Sequence, residues 1–312
     1  MPNRHPEPEL VDLLHLGRPH VIGAWRVGDV VIDPGPSSCL AQLLPVLEAH
    51  PPRVLALTHI HLDHAGATGS LLQRFPDLEV WVHERGAPHL VDPAKLLASA
   101  TRLYGADMDR LWGEVLPVAA ERVRPLTGGE RLEAFRVAYT PGHASHHLAY
   151  LHEPTRRAFT GDVTGVRIDA GCVLAPTPPP DIDLQAWEAS LEEIEAWRPT
   201  SLAVTHFGEH RDVDRHLAEL RGALRQAASD GASLDEAGFA AAVRERVQAG
   251  LAGASAAATA AAYEQAMPPE QCFHGLSRYL AKRAGGTVSA GDESAAGSGS
   301  SAVGAAGGNA AR

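Results

Sequence analysis

The stretch THIHLDHAGA, residues 58–67, places His59, His61, Asp63 and His64 almost side by side. Histidine is the commonest metal-ligating side chain, and neutral imidazole suits zinc and similar ions. On an α-helix, residues two apart do not face each other, so His59 and His61 could not converge there. On a strand they would share a face, but Asp63 and His64 could not both join them. The pattern therefore predicts a loop. RVLALT (53–58), a short apolar run behind the turn signal HPP, supplies a strand before it. AGATGSLLQRF (65–75) supplies a helix after it. Such a loop lies at a strand's C-terminal end, where open α/β sheets place their chemistry.

Working outward, LVDLLHL, HVIGAWRV and VVID between residues 10 and 33 read as strands, the last two joined by a hairpin turn at VGD. PSSCLAQLLPVLEAH (36–50) has helical apolar spacing, with Ser37 or Ser38 as its N-cap. LEVWVH is a further strand. Residues 85–125 are helical and irregular, an insertion placed to border an active site. Strand-like runs return at FRVAYT, HLAYLH, RAFTGD and SLAVTH. Between the last two, Leu184, Trp187, Leu191 and Ile194 fall on one face of a helix, capped by Asp181 or Asp183. Beyond 210 the pattern is helical, with a capping box at Ser233 and Glu236 and a last helix in PPEQCFHGLSRYLAKR. The chain thus divides into a catalytic domain over 1–210, a helical region over 211–284, and a tail over 285–312. The tail is rich in glycine, alanine and serine and too poor in apolar residues to order itself.

Three hundred and twelve residues suffice for one large catalytic domain with appendages. A net charge of −11 argues against a general polyanion binder, and so against nucleic acid. Cys39, Cys172 and Cys272 are odd in number and far apart, which fits a reducing compartment rather than a disulfide framework. No secretory h-region follows the polar start, and no run is long and apolar enough to span a bilayer. The chain reads as a cytoplasmic protein acting on a small molecule. Its Ala-rich helix near 254–266 offers packing or a homodimer face.

Three more segments repeat the logic of the first. TPGHASHH carries His143 after the run FRVAYT, FTGDVTG carries Asp162 after RAFTG, and AVTHFGEH carries His206 after SLAVT. With His59, His61, Asp63 and His64 they make seven ligands, enough for two metal ions. Together these residues resemble the metallo-β-lactamase fold superfamily, with its H-x-H-x-D-H loop. The likeness covers roughly residues 10–210 and all five of that family's sequence landmarks, in order. It implies a four-layer αββα sandwich with the C-terminal helices as an extension. It assigns His59, His61 and His143 to one metal, Asp63, His64 and His206 to a second, and Asp162 to both. The first landmark, VVIDPG, offers Asp33 as a support for the metal loop.

The implied chemistry is hydrolysis. Two metals about 3.5–4 Å apart can hold a hydroxide at neutral pH, because each lowers the pKa of bound water from ~16 toward ~7. Asp63 ligates and orients that nucleophile, and no G-x-S-x-G supplies another. His61 excludes the flavodiiron reductases, which carry glutamate at that place. Two zinc ions are expected, with iron or manganese as alternatives. The substrate is expected to be a small ester, with a thioester of the hydroxyacylglutathione type favoured. A lactone or other carboxylic ester, a ribonucleic acid or phosphodiester, and an iron-dependent oxidation are the alternatives. His147 and His210 flank ligand loops and are candidate substrate contacts. Arg278, Tyr279 and Lys282 of the last helix are others, their charge suited to a substrate carboxylate. Tyr104, Trp112 and Tyr139 are expected in core packing.

Overall fold

The computed structural model describes residues 6–251, 253 and 255–284; the segment 285–312 read above as a tail lies outside them. The first half of the chain builds one six-stranded sheet and the second half another. In the first, β1 (Glu9–Asp12), β2 (Gly23–Val27) and β3 (Val30–Ile32) run antiparallel as a meander. The chain then passes through α1 (Leu40–Ala49) to β4 (Val54–Ala56), through α2 (Leu62–Ala65) and α3 (Thr68–Arg74) to β5 (Glu79–His83), and through α4 (Ala87–Val91), α5 (Ala94–Tyr104) and α6 (Met108–Trp112) to β6 (Val123–Leu126). These helical crossovers make β3, β4, β5 and β6 parallel, as crossovers must.

The second sheet holds β7 (Arg131–Leu132), β8 (Phe135–Tyr139), β9 (Leu148–His152) and β10 (Arg157–Gly161) in antiparallel succession. Helix α7 (Leu184–Ala196) crosses over to β11 (Ser201–Val204), parallel to β10, and β12 (Gly208–His210) closes the edge. Four helices follow: α8 (Val213–Ser233), α9 (Glu236–Ala249), α10 (Ala256–Ala266) and α11 (Pro269–Ala284).

Alternation along the strands produces the layers. Trp25, Ile32, Trp81, Phe135, Tyr150 and Phe159 point between the sheets and are fully or almost fully buried. Each such large side chain contributes about 1.5–3 kcal/mol of burial. The opposite faces carry Ala24, Val31 and Leu55 under α1 and α3, and Ala149, Leu151 and Leu202 under α7 and α8. The result is the expected αββα sandwich, with α9, α10 and α11 joining the first outer layer through Phe239, Val243, Tyr263 and Leu276. No helix among the described residues is long and apolar enough to cross a membrane.

Several local expectations change. The run 10–16 is extended only to Asp12; Leu14 and Leu16 have left-handed backbone and His15 sits in a single 3-10 turn. Neither Ser37 nor Ser38 caps α1: Ser37 donates to the Gly66 carbonyl and Ser38 to that of Leu111. Asp183 does cap α7, accepting from the Gln185 and Ala186 amides, while Asp181 accepts from Ser145. The expected capping box does not form, because position N3 of α9 is Gly238, which has no side chain to reach back. Ser233 ends α8 and bonds back to Ser229, and Asp235 caps α9 by accepting from Gly238.

Candidate metal centre

All seven candidate ligands lie just beyond strand ends, at one edge of the sandwich. His59 and His61 occupy the extended link after β4, and Asp63 and His64 lie on the single turn of α2. The expected loop is thus half loop and half helical turn. The change of backbone at His61 is what lets residues two, four and five apart share one centre. His143 follows β8, His206 follows β11, and Asp162 follows β10. Before Asp162 the chain needs Gly161: its φ is +46°, and a Cβ there would lie 2.4 Å from the Thr58 hydroxyl.

The ligand atoms form overlapping groups: His59, His61 and His143; Asp63, His64 and His206; and Asp162 with His59 and His64. In the first, the Nε2 atoms of His59 and His143 each lie 3.0 Å from His61 Nδ1. In the second, His206 Nε2 is 3.4 Å from Asp63 Oδ2, and His64 Nε2 is 3.7 Å from it. Asp162 spans both: Oδ2 is 3.4 Å from His143 Nε2, and Oδ1 is 3.3 Å from His64 Nε2 and 3.5 Å from His206 Nε2.

The outer nitrogens fix the tautomers. His143 Nδ1 donates to the Pro176 carbonyl at 2.9 Å, and His206 Nδ1 to that of Val21 at 2.5 Å. His64 Nδ1 donates to Asp33 at 2.8 Å, and His59 Nδ1 to the Thr58 hydroxyl at 3.0 Å. Each ring therefore turns its Nε2 inward. The Nε2 atoms of His64 and His206, and Oδ1 of Asp162, are buried without a hydrogen-bond partner. Lone pairs that converge in a buried place, with the outer nitrogens committed elsewhere, fit a pair of cations.

Asp33 organises this from behind. It is fully buried, and besides His64 it accepts from the Thr58 amide at 2.8 Å, the Thr58 hydroxyl at 2.7 Å and the Thr205 hydroxyl at 3.1 Å. One carboxylate thus ties the ends of β3 and β4 to β11 across the sandwich. The electrostatics divide the ligands. Burial, reinforced by neighbouring histidines, pushes His59 well below the ordinary histidine value and His61 down to about 4. Burial opposes charge on His64 and His206 as well, but Asp162 and Asp63 outweigh it and raise both. Burial would raise Asp63 and Asp162, yet His64 and His206 hold them below the usual carboxylate range. The first group is a set of neutral donors, and the second is where carboxylates draw positive charge.

A cavity of about 210 Å³ opens onto the cluster at His61, Asp63, Asp162 and His206. The insertion supplies one wall through Leu96, Leu103, Tyr104, Leu111 and Trp112, as its position in the sequence led us to expect. Tyr104 and Trp112 thus face the cavity as well as packing on each other, whereas Tyr139 stacks on His83. The other wall comes from the C-terminal helices, but not from the residues expected. Gln265, Met267 and Gln271 line it, whereas Arg278 and Lys282 are exposed further along α11 and Tyr279 packs against the core under the second sheet. One α-helical turn advances about 5.4 Å, so residues two and three turns beyond Gln271 are carried away from the opening. His147 lies behind the cluster, stacked on His59 and bonded to Thr140. His210 donates to the Phe207 and Arg167 carbonyls, and neither histidine lines the cavity. His15 does line it and has no sequence signal. It donates from Nε2 to the Leu111 carbonyl, accepts at Nδ1 from Gln265, and stacks on Trp112, with burial lowering its pKa.

The profile of the family described as the metallo-beta-lactamase superfamily matches residues 28–206, more than half of the chain and the segment that carries all seven ligands. The chain belongs to the metallo-β-lactamase superfamily. Within that superfamily it is similar to the fold-containing protein ST1585 of Sulfurisphaera tokodaii, 30% identical over 203 residues that cover 61% of this chain and 74% of that one. The crystal structure of ST1585 superposes with a TM-score of 0.64 at 22% identity, covering 88% of this chain and 99% of that one. A hydroxyacylglutathione hydrolase of Xylella fastidiosa is 29% identical over 153 residues, 48% of this chain and 45% of its own length. The chain therefore spans less than half of that enzyme. TTHA1623, solved in a di-iron-bound form, superposes with a TM-score of 0.51 at 28% identity, covering 64% of this chain and 93% of that one.

Proposed function

We propose that this superfamily member is a dinuclear metal-dependent hydrolase of a small ester-like substrate, a thioester, lactone or other carboxylic ester. The observation that supports it is the convergence of seven inward-facing ligand atoms on the floor of an open cavity. His59, His61 and His143 would hold one cation, Asp63, His64 and His206 the other, and Asp162 would reach both. Two divalent cations held there would polarise the oxygen under attack and lower the pKa of water from ~16 toward ~7. The chain's own contribution is position. Asp63 is 21% exposed where Asp162 is 5% exposed, so Asp63 is the carboxylate open to a substrate and placed to orient an attacking water. His59 and His143 are locked in one tautomer by their outer hydrogen bonds, so the floor does not rearrange as charge develops.

Zinc is the expected metal. Iron is the alternative metal, since TTHA1623 was solved in a di-iron-bound form, and an iron-dependent oxidoreductase is the second reading. Metal content by elemental analysis, followed by thioester, lactone and phosphodiester substrates, separates the two. Hydrolysis abolished by chelation and restored by zinc supports the proposal. A protein that holds iron, oxidises a persulfide and leaves every ester intact replaces it with the second reading.

A further inference from the structure

The cavity above the cluster has an unusual lack of charge. Away from the histidines and aspartates of the floor, its wall is Leu96, Ala100, Leu103, Leu111 and Trp112 on one side and prolines 178–180, Ala266 and Met267 on the other. Among the described residues, the wall includes no lysine, arginine or glutamate. Its polar groups are neutral. His15 is committed at both nitrogens, to Leu111 and Gln265, and burial lowers its pKa. Burial, with Asp63 nearby, pushes the Tyr104 phenol up, so Tyr104 offers a hydroxyl and not an anion. The Cys272 thiol is pushed up to about 11 by burial and accepts from the Thr177 amide. Gln265 spends its own amide on His15 and Arg18, which fixes this wall rather than leaving it free to recognise charge.

A substrate carboxylate lodged against this wall would lose its water and meet no cation, only the neutral donors of Ser99, Tyr104 and Gln271. An alkyl chain there would instead replace water on leucine, proline and methionine surface. The volume, about 210 Å³, lies below the ~300–1,000 Å³ of sites for drug-sized ligands and admits a short or medium chain rather than a peptide-like carrier. We propose that this cavity holds the apolar acyl portion of an uncharged ester or lactone, with the scissile carbonyl over Asp63 and His61, and that it rejects anionic carriers. The inference rests on the hydrolase reading and narrows it, away from a glutathione thioester, whose carboxylates have no basic residue to meet on the wall.

The test uses the full-length protein loaded with zinc and p-nitrophenyl esters from acetyl to decanoyl, each compared with an ester of equal length ending in a carboxylate. We expect kcat/KM to rise at least tenfold between the acetyl and octanoyl esters, and the carboxylate-ended esters to be at least tenfold poorer than their neutral counterparts. A flat or falling series, or carboxylates equal to neutral chains, overturns the proposal while leaving hydrolysis established. Calorimetric titration with octanamide and with its ω-carboxylate covers the case in which no ester is turned over. Tighter binding of the neutral amide then supports the apolar cavity while the hydrolase reading fails; equal or reversed affinities overturn the cavity proposal too. Leu103→Arg, on the cavity side of α5, gives the converse: it should reverse the preference toward carboxylate-ended ligands, with metal content unchanged as evidence that the variant is folded. No change in preference would count against the placement of the chain along that wall.

Discussion

In the ligand cluster four histidines turn one nitrogen inward while the other is tied to a carbonyl, a hydroxyl or a carboxylate. In the wall above it, leucines, prolines and a methionine meet from segments more than sixty residues apart, tied mainly at His15 and Gln265. The floor is polar, over-determined and drawn from strand ends. The wall is apolar and rests on how helices happen to dock. A change in the floor should therefore be read in metal content, and a change in the wall in substrate preference.

The most damaging change is predicted at Asp162, because its two oxygens face both halves of the cluster. Asp162→Ala should drop metal content from two per chain to at most one and cost several orders of magnitude in turnover, measured by elemental analysis and steady-state rates. Two retained metals would show that the halves are independent. Asp33→Ala comes next. Removing a group that supports a metal ligand from behind typically costs about 10–100-fold in metal affinity, and a competition titration would show it. An unchanged affinity would mean that Thr58 and Thr205 suffice to hold the loop.

The wall is tested by Gly275→Ala. A Cβ at Gly275 would lie 2.0 Å from the Thr177 carbonyl oxygen, so α11 must shift away from the segment that carries Pro178 into the cavity wall. The cost is about 1–3 kcal/mol of stability, with KM raised several-fold and metal content intact; loss of metal would erase the distinction between floor and wall. The smallest effect belongs to Asp183→Ala, which removes the cap of α7 without touching either region. It should cost about 1 kcal/mol and lower Tm by a few degrees in a calorimetric scan, with metal content and KM unchanged.

What could be read in advance follows the same line. The floor was legible because each ligand sits beside a β-run and a Gly, Pro or Thr, and because metal binding demands particular residue types. Asp33 was legible through the family resemblance, as the aspartate of the landmark VVIDPG. The wall was not. His15 stands in an apolar run that reads as a strand, and only the left-handed backbone at Leu14 and Leu16 sets it in a turn facing Trp112. Gln265 ends an alanine-rich helix whose sequence carries no preferred face. Arg278 and Lys282 attracted notice through their charge, but charge on the last turns of a helix is satisfied by water as readily as by a ligand. Helix–helix docking depends on many weak contacts of similar residues, which no short stretch encodes.

The two sheets divide the chain cleanly: β1 to β6 make one, β7 to β12 the other, and a short turn at residues 127–130 joins them. The ligands divide there as well, with His59, His61, Asp63 and His64 before the turn and His143, Asp162 and His206 after it. Opened at Gly128–Gly129, the protein would become two fragments, neither holding a full set for either cation. Their reunion would then be governed by mass action on the metal as well as on each other. Split in this way, the chain would serve as a two-part reporter of free metal, its signal the joining of the halves.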